Sequence, residues 1–364
     1  MKDKKVALLT WHYYSNFGSA LQAYALQETL KDLGFSVKII DYRNIKFGKV
    51  SPARDRLRIA AAHLAPRRFS YPFLLFGNDN FELTRMTQDP ESLPSLVRGF
   101  DAVIAGSDQI WAPNVFNPVY MLSFVPDGIK KVSYAASIGL NDIPDSLAPR
   151  YGELLGRFDN ISVRERAGAE LLYEKCGIKA EVMPDPTLLL SADKYERLER
   201  RPAIEIPEKP YVFCYFLADG HNYRPAVREY AEKHGCAVLG HSAESGDSEW
   251  MTLLNGKIGP GEFLWLIRHA AAVFTDSYHG TIFSMIYGRD YLTFERFRND
   301  DALCQNSRIY QLAETFGTAD RIVDPAAVSK SLPSFGKPFD FDTVAKEQRK
   351  RAREYLLGAL NRDA

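Results

Sequence analysis

Four short segments of this chain carry side chains with usable chemistry at places where a strand hands over to a helix. The most informative is 275–281 (TDSYHGT), in which Ser277, His279 and Gly280 stand at the mouth of a helix. An imidazole there can accept and return a proton near neutral pH; a purely structural histidine is the competing reading. Segment 162–166 (SVRER) sets Arg164 at the end of a short strand, where a guanidinium could grip a phosphate or carboxylate with two parallel hydrogen bonds. A pair with Glu165, or a place on a helix surface, would account for it equally well. Segment 106–111 (GSDQIW) offers Ser107, Asp108, Gln109 and Trp111. Helix capping explains Ser107 or Asp108, but not readily Gln109 with Trp111. Segment 15–19 (SNFGS) brings Asn16, Gly18 and Ser19. Gly18 allows close backbone approach and Ser19 can cap the next helix, so this is either a ligand loop or an ordinary N-cap.

These segments need a scaffold, and the surrounding pattern supplies one. Residues 6–10 form a short apolar run, 23–33 repeat Ala23, Leu26, Leu30 and Leu33 with helical spacing, and 36–42 read as a second strand. This is a β-α-β unit, the building block of a parallel sheet. Strand-like runs recur at 101–105, 131–135, 160–163 and 180–183, and in a second series at 211–216, 237–240, 271–275 and 291–294. In open parallel sheets ligands sit beyond the carboxyl ends of the strands, where helix N-termini favour anions. All four polar segments fall there.

The rhythm breaks at 45–95, read here as a helical, basic insertion containing Arg54, Arg56, Arg58, Arg67 and Arg68. Such a cluster suits an acidic acceptor, a peripheral membrane surface or simply solvent. The expected plan is an N-terminal Rossmann-like domain over 1–190 with that insertion, a proline-marked linker at 191–209, a C-terminal Rossmann-like domain over 210–338 and a terminal helix over 339–364.

At 364 residues the chain exceeds what one core normally serves, so two domains are expected. Its 46 basic and 46 acidic residues balance, which speaks against a nucleic-acid binder. The four cysteines are widely spaced, and neither a Cys pair nor an H-E-x-x-H pattern occurs, so no metal is expected. Asp340 and Asp342 open the terminal helix, where first-turn carboxylates are ordinary. No run suits a secretory signal or a membrane span, and a cytoplasmic protein is expected.

Taken in order, six motifs resemble the polysaccharide pyruvyl transferase family: 16–26 (NFGSALQAYAL), 105–111 (AGSDQIW), 133–139 (SYAASIG), 162–165 (SVRE), 184–190 (PDPTLLL) and 275–288 (TDSYHGTIFSMIYG). The chain departs from many members by placing Ser19, rather than an aspartate, after Gly18. The resemblance implies an α/β fold of two Rossmann-like domains with parallel sheets facing a cleft, as in GT-B glycosyltransferases. It implies transfer of pyruvate from phosphoenolpyruvate to two hydroxyls of a sugar or lipid-linked glycan acceptor, without a cofactor. His279 would move protons; Arg164, Ser277, Gly280 and Arg308 would bind the donor. Asn16, Gly18, Ser19, Ser107, Asp108, Gln109 and Trp111 would line the cleft. A nucleotide-sugar glycosyltransferase and a catalytically silent sugar-binding relative are the alternatives.

Overall fold

In the computed structural model of the protein, residues 4–45, 48, 51–64, 71–218, 223–298, 301, 304–328 and 332–361 are described. Arg67 and Arg68 of the basic insertion lie outside them. The chain divides into two compact units. The first gathers Met1–Ala65, Phe73–Leu190 and Ala345–Ala364, and the second gathers Pro66–Pro72 and Ser191–Val344.

The first unit runs β1 (Lys5–Leu9), α1 (Phe17–Asp32), β2 (Ser36–Ile39), α2 (Pro52–Leu64), α3 (Pro72–Asn80), α4 (Leu93–Val97), β3 (Ala102–Ala105), β4 (Lys130–Ser133), α5 (Ala148–Leu155), β5 (Ser162–Val163), α6 (Arg166–Cys176) and β6 (Glu181–Val182). Its main sheet is parallel in the order β2-β1-β3-β4, with Leu8 beside Ile39 on one flank and Ile104 on the other. The β5–β6 pair continues it through single bridges from Val132 to Asn160 and from Ala136 to Val163. Ala7, Leu9, Val103 and Ala105 point into one core cluster, while Val6, Leu8, Ala102 and Ile104 are buried as well. Strands buried on both faces explain why the sequence shows continuous apolar runs instead of alternation.

The second unit runs α7 (Ala192–Glu196), β7 (Tyr211–Phe216), α8 (Tyr223–Lys233), β8 (Ala237–Ser242), β9 (Thr252–Leu253), α9 (Pro260–His269), β10 (Ala272–Thr275), α10 (Tyr278–Ile286), β11 (Tyr291–Phe294), α11 (Ser307–Phe316) and β12 (Ile322–Val323), and then enters α12 (Phe341–Asn361). The sheet is parallel throughout, in the order β12-β11-β10-β7-β8-β9. Its core is Val212, Cys214, Phe216, Phe274, Leu292 and Phe294, closed by Tyr223 stacked on Phe294 at 4.0 Å.

Three features depart from the sequence reading. Residues 191–209 hold α7 and group with the second unit. The terminal helix is not a separate appendage: from Ala345 onward it belongs to the first unit. There Arg349 donates to the Leu188 and Leu190 carbonyls at 3.0 and 2.9 Å, and the Tyr355 hydroxyl donates to the Ser133 carbonyl at 2.8 Å. Finally, the sequence pattern sets a helix at 281–287, whereas α10 begins at Tyr278, because the Ser277 hydroxyl accepts the Gly280 N–H and caps it there.

Both sheets wind in two directions from one strand. In the first unit β1 leads to β2 on one side and β3 on the other; in the second, β7 leads to β8 on one side and meets β10 on the other. Each such reversal leaves a crevice at the carboxyl edge. Gly106 sits at the first of these with φ +130°, and an added Cβ would lie 2.1 Å from the Tyr134 carbonyl oxygen. Gly106→Ala is therefore expected to cost about 3 kcal/mol or more, read as a lowered urea midpoint; an unchanged midpoint would contradict this account of the loop.

Candidate active site

At the switch point of the first unit, the β1–α1 and β3–β4 loops are joined by side chains. Asn16, not Ser19, caps α1, its Oδ1 accepting the Ser19 N–H at 3.0 Å. Ser19 instead donates its hydroxyl to Asp108 Oδ2 at 2.5 Å, and Asp108 Oδ1 accepts the Gln109 N–H. Gly18 is buried in the first turn of α1. Behind them Gln22 donates to the Thr10 hydroxyl and to the Trp11 and Ser19 carbonyls, and its Oε1 accepts the Ser107 N–H at 3.1 Å.

Two residues expected to meet a ligand are scaffold. Trp111 is 0% exposed; its indole N–H donates to the Tyr120 carbonyl at 3.0 Å and its ring packs edge-on against Phe158. Ser107 is equally buried, giving its hydroxyl to the Ala135 carbonyl and accepting from Thr10 at its own carbonyl. Aromatic bulk and a small hydroxyl at this turn serve packing, so neither presents a surface to substrate. Asp108 is also buried. Gln109 and Asn16 are the half-buried members of the set expected to line the cleft.

Arg164 is 2% exposed, which removes the helix-surface reading. Its Nη1 donates to Asp185 Oδ2 at 2.7 Å, and Glu165 Oε2 lies 3.9 Å from its Nε. Asp185 in turn accepts from the Thr187 N–H and hydroxyl. Thus 162–165 and 184–190, two of the six motifs, meet through an ion pair that no sequence spacing announces. Glu165 acts elsewhere. Its Oε1 accepts from the Ser137 hydroxyl and from the N–H groups of Ile138 and Gly139 at 2.8–3.0 Å, pinning the loop after β4.

In the second unit the switch point is organised by Asp276, which the sequence reading passed over. Its two carboxylate oxygens accept the Leu217 and Ala218 N–H groups at 2.8 and 2.9 Å, tying the loop after β7 to the loop after β10. Arg296, just past β11, donates to the Asp276 carbonyl at 2.9 Å. Arg224 extends the network, donating to the Ala218 carbonyl at 2.7 Å and to Asp247 at 2.9 Å, while Ser242 and Trp250 donate to the same carboxylate. Asp276 sits one residue before Ser277 in the motif, so its carboxylate was the available signal.

Next to this anchor stands His279, 8% exposed, in the first turn of α10 with its ring edge-on to Tyr278. An added Cβ at Gly280 would fall 2.5 Å from Thr275 Oγ1, so only glycine lets the helix start this close to the strand. Arg308, at the start of α11, lies over the Tyr278 ring at 5.8 Å and donates to Gln305 Oε1 at 2.6 Å. The carboxyl edge of this sheet therefore collects an imidazole, a helix N-terminus and the guanidinium groups of Arg296 and Arg308, while Arg224 is committed to Asp247 and Glu244. That is chemistry for an anionic ligand and a proton. Among the described residues, no group of three or more His, Cys, Asp or Glu side chains could hold a metal ion, and no helix is long and apolar enough to cross a membrane.

Parallel sheets with polar loops at their carboxyl edges make both units Rossmann-like α/β folds. The chain belongs to the polysaccharide pyruvyl transferase family, whose model matches residues 16–289. Among solved structures it is similar to a UDP-GlcNAc 2-epimerase from Neisseria meningitidis bound to UDP-GlcNAc (TM-score 0.52, 12% identity, 99% of this chain and 100% of that chain). It is also similar to AviGT4, a glycosyltransferase involved in avilamycin A biosynthesis (TM-score 0.48, 13% identity, 99% and 97% covered). At such identities the likeness concerns the fold alone. A search of the curated proteins finds no match to the chain.

A second acidic anchor, also unforeseen, lies at the end of β2. Asp41 accepts from His12 Nε2 at 3.2 Å and from Arg43 Nε at 2.7 Å. Burial opposes its ionisation, but the hydrogen bonds and charges of His12 and Arg43 outweigh this and hold the carboxyl below its usual range. A depressed folded value stabilises the protein in full above the unfolded value of about 4, and that stability drains away as pH falls through the lower folded value. Asp41→Asn should lower the urea midpoint at neutral pH and make its decline below about pH 4 shallower; an acid limb as steep as wild type would show that Asp41 does not contribute to it.

Proposed function

We propose that this protein transfers a pyruvyl group from phosphoenolpyruvate onto two hydroxyls of one sugar in a cell-envelope or exopolysaccharide precursor, forming a ketal and releasing phosphate. The observation that carries the reading is His279 in the first turn of α10, beside the Asp276 anchor, in a chain of the polysaccharide pyruvyl transferase family.

The donor presents a carboxylate, a phosphate and an enol carbon pair. Protonation of the methylene carbon leaves the central carbon electron-poor, and the first sugar hydroxyl adds to it. The bond from that carbon to the phosphate oxygen then breaks, with the electron pair leaving on phosphate, and the second hydroxyl closes the ketal. Two hydroxyl protons are lost; one balances the proton taken up by the new methyl group and the other leaves with phosphate or solvent. No oxidation state changes overall. His279 is assigned the proton transfers, a role for which an imidazole suits neutral pH. The N-terminal end of α10 and Arg308 favour the donor's negative charge. Ser277 and Gly280 fix the helix start, so their part is to hold the backbone against the donor. Arg164, expected from the resemblance to bind the donor, belongs to the first unit, where Asp185 holds its planar fork in one orientation.

The test is phosphate release from phosphoenolpyruvate in the presence of a panel of lipid-linked and nucleotide sugars. His279→Ala should lower kcat by about 100-fold or more with an unchanged melting temperature. Wild-type turnover by this variant, or no phosphate release by the wild-type protein with any acceptor, would overturn the proposal.

A further inference from the structure

The outer face of α2 has no role in the site described above. Of the six large hydrophobic side chains exposed among the described residues, Leu57 at 71% and Leu64 at 87% are the most exposed. They are seven residues apart on one helix, and with Ala53 and Ala60 they form a stripe at the spacing of a single helical face. At 100° per residue, Arg56 and His63 flank that stripe on one side and Arg54 on the other. The helix has a separate inner face, where Ala62 is buried and Asp55 pairs with Arg43 at 2.8 Å and with Arg58 at 3.4 Å. The leucines are thus not the displaced core of a misplaced helix; α2 is amphipathic inward and carries a second apolar stripe outward.

Charge identifies the occupant. In a chain of zero net charge, residues 46–68 contain Lys46, Lys49, Arg54, Arg56, Arg58, Arg67 and Arg68 against the single acid Asp55, and that acid is turned inward onto Arg43. A symmetric contact with a second copy would press like-charged rims together. Four short side chains also offer far less surface than the roughly 1,600 Å² that a stable protein interface buries. A helix with an apolar stripe flanked by Arg56 on one side and Arg54 on the other matches an anionic lipid surface, with the leucines entering the acyl boundary and the arginines at the head groups.

We propose that α2 docks the protein in the plane of an anionic membrane. This inference does not depend on the reaction proposed above, and it concerns where the protein works.

The experiment is flotation of the full-length protein with vesicles of phosphatidylcholine alone and of phosphatidylcholine mixed with phosphatidylglycerol. Binding is expected to the mixed vesicles and to weaken as salt is raised. The double variant Leu57→Ser/Leu64→Ser should bind about tenfold more weakly or less, and Arg54→Gln/Arg56→Gln several-fold more weakly. Both should keep the wild-type melting temperature, since exposed sites tolerate substitution. The proposal is overturned if the mixed vesicles do not bind, if neutral vesicles bind equally well, or if both variants bind like wild type. It is also overturned if sedimentation shows a dimer that the leucine variant loses while vesicle binding persists.

Discussion

The architecture turns on one arrangement made twice: a buried carboxylate at the point where each sheet reverses its winding. A reversal leaves two neighbouring strands whose outgoing loops run to opposite faces, and nothing in the ladder itself fixes those loops. Asp108 does so in the first unit by receiving the Ser19 hydroxyl, and Asp276 does so in the second by receiving the N–H groups of Leu217 and Ala218. A carboxylate withdrawn from water is costly unless every oxygen is met by donors. Asp276 meets that condition with two backbone donors, with Arg296 within 3.9 Å of Oδ1 adding opposite charge. The loop geometry is thereby over-determined, and the start of α10, with His279 on it, inherits that rigidity.

The same principle separates the two kinds of polar residue at these edges. Asp108 and Asp185 have both carboxylate oxygens met by donors from their own unit, Glu165 gathers three donors on Oε1, and Ser107 gives its hydroxyl to the Ala135 carbonyl. They are the cost of holding irregular backbone beside a sheet, and their hydrogen bonds are why that backbone can be buried at all. Arg308 and Gln109 are less enclosed. A division of this sort lets a rigid frame carry a few side chains whose positions are set without their being used up.

Much of this was legible in the sequence. Apolar runs of four or five residues between helical periodicities gave the parallel sheets, and polar residues just beyond those runs gave the carboxyl edges. What escaped were pairings across long separations. Arg164 and Asp185 lie 21 residues apart, and nothing in the spacing distinguishes that partnership from one with the adjacent Glu165. Trp111 read as a ligand contact because a large aromatic beside polar residues looks out of place on a surface; buried under the Tyr120 carbonyl it is ordinary. Asp276 was overshadowed by the histidine three residues on. The two-residue strands β9 and β12 are too short to leave a period.

The return of α12 to the first unit bears on how the chain is made. Residues 345–361 follow the whole of the second unit in sequence, yet they cover the Ser133 carbonyl and hold Leu188 and Leu190. During synthesis the first unit emerges early and must wait, one flank uncovered, until more than a hundred and fifty further residues (Ser191–Val344) have left the ribosome. Domains ordinarily mature in the order they emerge. Here the earlier one is sealed last, so a ribosome that stalls late in the message releases a chain with both sheets made and the first still open.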